Sequence, residues 1–191
     1  MPSTFSQMQH WGRTRFTGEK VVLRELHPSD LPLLSAWWND SGEAIFQQQV
    51  ITPRPAQSIE QMYEMWSTND SPNGCGYTIT VDGECIGHVT LWGMSLPIRI
   101  ATCAIIIGPD FQNEGYGRDA LNVVLRIAFD EMGAHKVEIQ AWDYNERALH
   151  LYSSLGFVEE GRRRAATFHG GTFHDHVQMG ILEDEYRALH S

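Results

Sequence analysis

One run constrains this chain more than any other: Ile105-Ile106-Ile107-Gly108-Pro109-Asp110-Phe111-Gln112-Asn113-Glu114-Gly115-Tyr116-Gly117-Arg118. The apolar stretch 104–107 is short, β-branched and closed by Gly-Pro, which predicts a strand buried on both faces. Beyond Gly117 the period changes. Leu121, Val124, Leu125, Ala128 and Met132 recur at i, i+3, i+4, i+7 and i+11, the spacing of an amphipathic helix, and Gly133 ends it. A strand-to-helix turn whose glycines let backbone N–H groups converge is an anion site. The turn therefore points to a ligand carrying phosphate.

The remaining segments are read around that unit. Residues 1–19 read as an extended or poorly ordered arm anchored by Trp11 and Phe16, ahead of one domain over 20–191. A first strand, 20–26, is broken by His27-Pro28-Ser29-Asp30, where Ser29 or Asp30 can cap a helix presenting Leu31, Leu34 and Trp38. Residues 43–56, with Pro53 and Pro55, read as a loop bordering a cleft. A second helix, 58–68, opens on a Ser58/Gln61 capping box and buries Ile59, Met62, Met65 and Trp66. Asp82-Gly83 joins 76–81 to 84–94 as a hairpin. Residues 98–107 pair antiparallel beside it, and Lys136–Trp142 returns parallel through a right-handed crossover. A short helix, 146–155, and a hairpin over His169-Gly170-Gly171 close the chain. The sum is a single α/β domain: a mixed, mostly antiparallel sheet, one central βαβ crossover and a C-terminal hairpin.

A length of 191 residues with 42% hydrophobic and 20% charged residues suits one globular domain. A net charge of −10 argues against nucleic acid as a partner, since phosphate neutralisation needs clustered Lys and Arg. It is compatible with a cationic substrate or simply with a soluble surface. Cys75, Cys85 and Cys103 form no CxxC pair and fall in strand-like stretches, so they read as reduced core residues. No apolar run approaches a membrane span, and residues 1–17 lack the hydrophobic block of a secretory signal. The expectation is a cytoplasmic protein with no membrane partner.

Three phosphate ligands compete for the turn. A Walker loop needs G-x-x-x-x-G-K-[ST], and no such string is present. Gly115-x-Gly117-x-x-Ala120 fits the dinucleotide fingerprint, with Glu138 near the spacing of a ribose-binding acid. However, seven residues separate Ile107 from Gly115, and one βαβ unit after a meander is the wrong architecture. The third reading uses the whole string. Gln112-x-x-Gly115-x-Gly117 opening a helix resembles the pyrophosphate loop, [QR]-x-x-G-x-[GA], of the GCN5-related N-acetyltransferases. Asn145-Glu146-Arg147-Ala148-Leu149-His150-Leu151-Tyr152-Ser153-Ser154-Leu155-Gly156-Phe157 resembles that family's second signature, N-x-x-[AS]-x-x-[LF]-Y-x-x-x-G-F. The opening Leu23-Arg24-Glu25-Leu26 and the closing hairpin are similar to the branch holding the ribosomal-protein N-terminal and polyamine acetyltransferases. The resemblance covers roughly residues 20–187.

The resemblance implies acetyl-CoA as co-substrate and an amine as acceptor. Backbone amides of Gln112, Asn113, Glu114, Gly115, Tyr116, Gly117 and Arg118 would hold the diphosphate, with Arg118 able to add charge. Ile105, Ile106 and Ile107 would border the pantetheine arm, with Asn145 and Ala148 across from them. Tyr152 is the expected general acid: a phenol with a reference pKa of about 10 stays protonated at neutral pH and can donate to a thiolate. Asn145 can bond the arm, cap its helix, or both. Glu84, His88 and Glu138 lie on neighbouring strands, and register decides which of them can act as base. Trp37, Trp38, Asn39, Asp40 and Glu43 are candidates to receive the amine. His169, His174 and His176 with Asp175 raise a metal reading, against which surface histidines are preferred. The expected activity is direct acetyl transfer to a protein or peptide α-amine. The alternatives are a small amine (polyamine, amino acid or antibiotic) or a non-catalytic acyl-CoA-binding module. A homodimer is compatible with the resemblance.

Overall fold

The computed structural model describes residues 4–190. Its centre is a seven-stranded sheet of order β1-β2-β3-β4-β5-β7-β6. The strands are β1 (Val22–Arg24), β2 (Cys75–Val81), β3 (Glu84–Trp92), β4 (Ile100–Ile107), β5 (Lys136–Trp142), β6 (Val158–His169) and β7 (Thr172–Leu182). Every neighbouring pair is antiparallel except β4 and β5. That exception is the expected crossover, made by α5 (Tyr116–Arg126) and a π-turn, Ile127–Glu131. Leu121, Val124, Leu125 and Ala128 are buried on its sheet-facing side. Asp82 and Gly83 take φ of 51° and 86°, the left-handed pair that a two-residue hairpin requires.

A second apolar cluster covers the other face of the sheet. It is built by α2 (Leu31–Asn39) and α4 (Ala56–Trp66), and it contains Leu34, Trp37, Ile59 and Tyr63. Here local expectations need correction. Asp30 stands at the N-cap of α2, but its side chain makes no cap bond; its carboxylate accepts a bidentate pair from Arg24 and a bond from the His27 N–H. Pro55, not Ser58, precedes α4, and Met65 is exposed where Tyr63 is buried. A short helix, α3 (Ser41–Ala44), capped by Asp40, runs into the first residues of the 43–56 segment read as a loop.

At both ends the described residues are more ordered than their composition suggests; residues 1–3 of the expected arm lie outside them. The arm holds a helix, α1 (Phe5–Thr14), with no buried residue; Trp11 Nε1 donates to Glu131, and Arg126 donates to the carbonyls of Thr14, Arg15 and Thr17. The next turn is pinned by the buried Asp119 carboxylate, which accepts from the N–H groups of Glu19, Lys20 and Val21. At the other end, α6 (Glu146–Ser154) leads into the hairpin, and a further helix absent from the sequence reading, α7 (Glu183–Leu189), stacks Tyr186 on Phe129.

Candidate active site

Two strands that part make the cleft. β4 and β5 pair only over Ile100–Thr102 against Lys136–Glu138. Beyond that point β4 stays on β3 to Ile107, and β5 stays on β7 to Trp142. The β5-facing edge of residues 103–107 is therefore left without a strand partner. The gap opens into a cavity of ≈ 1200 Å³ reaching from the loop before α5 to α4. This corrects the expected doubly buried strand: Ile105, Ile106 and Ile107 are half-buried on the cavity wall and Ala104 is exposed. The apolar run signals burial, but half of that burial is left for a ligand to complete.

At one end of the cavity lies the glycine turn. Asn113 and Gly115 hold φ of 66° and 83° immediately before α5 begins at Tyr116. Left-handed residues opening a helix form the concave N–H seat that binds anions. Gln112, Asn113, Gly115, Gly117 and Arg118 line the cavity as expected. Of the seven residues whose amides are expected to hold a diphosphate, Glu114 and Tyr116 do not line it. Glu114 is exposed and its carbonyl accepts from Lys20 Nζ at 2.8 Å, whereas Tyr116 packs into the core. Lys20 thus brings a cation to the turn that no motif announced. Arg118 donates to Ser154 Oγ at 2.6 Å, so its guanidinium ties α5 to α6.

Gln112 is a junction. Its Nε2 donates to the Ile107 carbonyl at 3.0 Å and to Glu43 Oε2 at 2.8 Å, while its Oε1 accepts from Arg147. The end of β4, α3 and α6 are thereby tied together across the cavity. Arg147 was missed because it occupies a free position of the second signature.

Tyr152 and Asn145 reach the same cavity, with Ala148 beside them. Asn145 caps α6, its Oδ1 accepting from the Ala148 N–H at 3.2 Å. Tyr152 is 7% exposed. Burial pushes its phenol pKa up and Cys103 adds to the shift, with Arg147 opposing it, so the hydroxyl keeps its proton throughout the neutral range. The buried Cys103 thiol is likewise pushed up by desolvation, which makes it a poor nucleophile.

The other end of the cavity is aromatic. Trp38, Tyr63, Trp66 and His88 all line it and meet edge to face: Trp38–Tyr63 at 6.3 Å and 89°, Tyr63–Trp66 at 5.5 Å and 78°, Tyr63–His88 at 5.1 Å and 76°. Of the five residues expected to receive an amine, only Trp38 and Glu43 line the cavity. Trp37 is buried against Phe111, Asn39 exchanges hydrogen bonds with the Arg54 backbone, and Asp40 caps α3. Of the three candidate bases only His88 is present; Glu84 is exposed at a hairpin end and Glu138 pairs with Lys136. His88 Nε2 lies 2.8 Å from Ser67 Oγ, and burial lowers its pKa to about 4 against a weak opposing pull from Asp30. The hairpin histidines are not the surface residues expected. His169 and His176 are buried, the former against the Gln48 carbonyl, and His174 packs on Tyr144 at 4.7 Å. Among the described residues no group of His, Cys, Asp or Glu is arranged to hold a metal. No helix among them is long and apolar enough to cross a membrane.

A parted parallel pair, an anion seat opening the crossover helix and a protonated phenol in one cleft define an acyltransferase site of the coenzyme A-using kind. Residues 20–158 match the family model of the acetyltransferase (GNAT) domain, and the chain belongs to that family. It is an acetyl-CoA-dependent N-acetyltransferase. The chain is 31% identical over 169 residues to the spermidine N(1)-acetyltransferase of Vibrio cholerae, covering 87% of this chain and 95% of that protein. It is 30% identical over 174 residues to the spermidine N(1)-acetyltransferase of Escherichia coli, covering 90% and 87%. The crystal structure of the Vibrio cholerae spermidine N-acetyltransferase in complex with CoA and spermine superposes with a TM-score of 0.78 at 26% identity, covering 88% of this chain and 98% of that one.

Proposed function

We propose that this enzyme acetylates a small primary amine, with Tyr152 returning a proton to the departing thiolate. The observation that carries the reading is the end of the β4–β5 ladder at Thr102/Glu138, with Tyr152 on the wall of the gap that follows. The residues present fit acetyl-CoA: the unpaired β4 edge suits an extended amide-bearing arm, and the left-handed turn suits a diphosphate. When bound, the coenzyme supplies the activated thioester. The chain supplies everything else.

The β4 edge offers backbone N–H groups where charge develops on the acyl oxygen, and one such donor contributes on the order of 10²-fold or more in rate. The Asn145 Nδ2, on the side chain whose Oδ1 serves the cap, is the group able to hold the arm. The half-buried isoleucines exclude water from the reacting end. His88 contacts the acceptor end, but with its pKa near 4 it is too weak to keep a proton from an ammonium of pKa about 10. Proton loss from the amine therefore goes to water, and no side-chain base is assigned.

Similarity to spermidine acetyltransferases supports a small amine over the protein α-amine that the motifs alone put first. The test is thiol release from acetyl-CoA with a panel of amines, comparing Tyr152→Phe. The variant keeps the ring and the fold, so kcat should fall about 10²–10³-fold with little change in KM. An unchanged kcat would remove Tyr152 from the mechanism.

A further inference from the structure

The acceptor end of the cavity is poor in charge. Glu43 is the only carboxylate among the residues lining it, and its Oε2 is already taken by Gln112. Two cations, Arg118 and Arg147, line the same cavity toward α5 and α6. The chain's net charge of −10 therefore sits elsewhere on the molecule. Trp38 Nε1 and the Tyr63 hydroxyl are buried without a hydrogen-bond partner among the described residues.

From this arrangement we infer that the acceptor is a monocationic amine on a flat aromatic body, an arylalkylamine, and that polyamines are disfavoured. The inference rests on the reading of the cleft as an amine acetyltransferase site. A polyamine carries three or four ammonium groups, and each one drawn out of water without a carboxylate costs several kcal/mol. The cavity has one carboxylate to offer, and Arg147 repels a further cation. A single ammonium is different. It finds Glu43 and the face of Trp66, which attracts a cation before its proton is lost; the Trp38 ring already carries the Arg54 guanidinium at 5.7 Å. Its aromatic body then extends the cluster at the half-buried rings of Trp38 and Trp66, which pack edge to face on the buried Tyr63 and where each such ring pair contributes beyond its buried area.

The experiment measures thiol release by the full chain at saturating acetyl-CoA with 2-phenylethylamine, tryptamine, butylamine and spermidine. The expected kcat/KM for the two arylalkylamines exceeds that for spermidine at least tenfold. Trp66→Leu, which keeps an apolar side chain, should erase most of that preference through KM and leave acetyl-CoA affinity unchanged. Trp38→Leu gives the same readout should the first variant fold poorly. Spermidine turned over as well as or better than the arylalkylamines overturns the inference and leaves the acetyltransferase reading standing. So does a preference that survives both variants. Release with none of the four amines, despite acetyl-CoA binding, overturns both readings.

Discussion

His88 shows how one side chain records its surroundings. It is 2% exposed, flanked by Tyr63 and Trp66, and its pKa is pushed from 6.5 to about 4 because burial disfavours the charged ring. In the unfolded chain the ring protonates first as pH falls, so the unfolded state binds more protons between pH 6.5 and 4. The stability contributed by keeping His88 neutral is complete above pH 6.5 and is lost as pH drops toward 4, an amount on the order of 3 kcal/mol. His88→Gln should therefore lose less stability than the wild type between pH 7.5 and 4.5 in denaturant unfolding. Equal losses would mean that the ring titrates alike in the folded and unfolded chain. His88 was visible in the sequence as a candidate, but its face was not. A register shift opposite Ile79/Thr80 sets both Cys85 and His88 against Thr80 and Thr78, so simple alternation assigns one of the two to the wrong side. Tyr152 was easier to read, because its spacing from Asn145 and Gly156 sits within one short helix and its flanking turns.

At the scale of elements, the turn between β4 and α5 separates two glycines that the motif treats alike. Gly115 has φ of 83°, and a Cβ there would lie 3.3 Å from Lys20 Nζ. Gly117 is helical, and a Cβ would meet only Ile107 and Leu151 at 3.6 and 3.7 Å, ordinary contact distances. Holding a left-handed alanine costs about 1–2 kcal/mol, or the turn relaxes and the amides move. Gly115→Ala should thus bind acetyl-CoA roughly tenfold more weakly by calorimetry, with Gly117→Ala within about twofold of wild type. The reverse ranking would place the anion seat elsewhere. The strands, α5 and the Asp82-Gly83 hairpin were legible because their hydrophobic period and turn chemistry are local. The α1 helix was not. It buries no residue, and what holds it is a Thr4/Gln7 capping box and contacts to Glu131 and Arg126 more than a hundred residues away. The half-burial of Ile105–Ile107 was hidden for a related reason: an apolar run announces that it will be covered, but not by what.

The whole molecule is a sheet pulled open at its middle, and on the proposed reading acetyl-CoA bridges the opening. On the cavity side the last pairs of β4 with β5 end at Thr102/Glu138, whereas β1 to β3 stay paired on one side and β5 with β7 on the other. A ligand that pairs with the free β4 edge binds only the folded chain, so it must stabilise the fold by mass action. At a hundredfold excess over its Kd the gain is about 2.7 kcal/mol, which for a domain of this size corresponds to a rise in Tm of about 5–10 °C. The gain should also be local. Amide exchange should slow most along residues 103–107 and through the turn at 113–117, with β2 and β3 little changed, because those strands already have partners on both sides. Free spermidine, added alone, should not reproduce this pattern, since nothing at the acceptor end reaches the unpaired edge as an extended amide. A thermal midpoint indifferent to acetyl-CoA, or protection spread evenly over the sheet, would mean that the gap between β4 and β5 is not where the coenzyme lies.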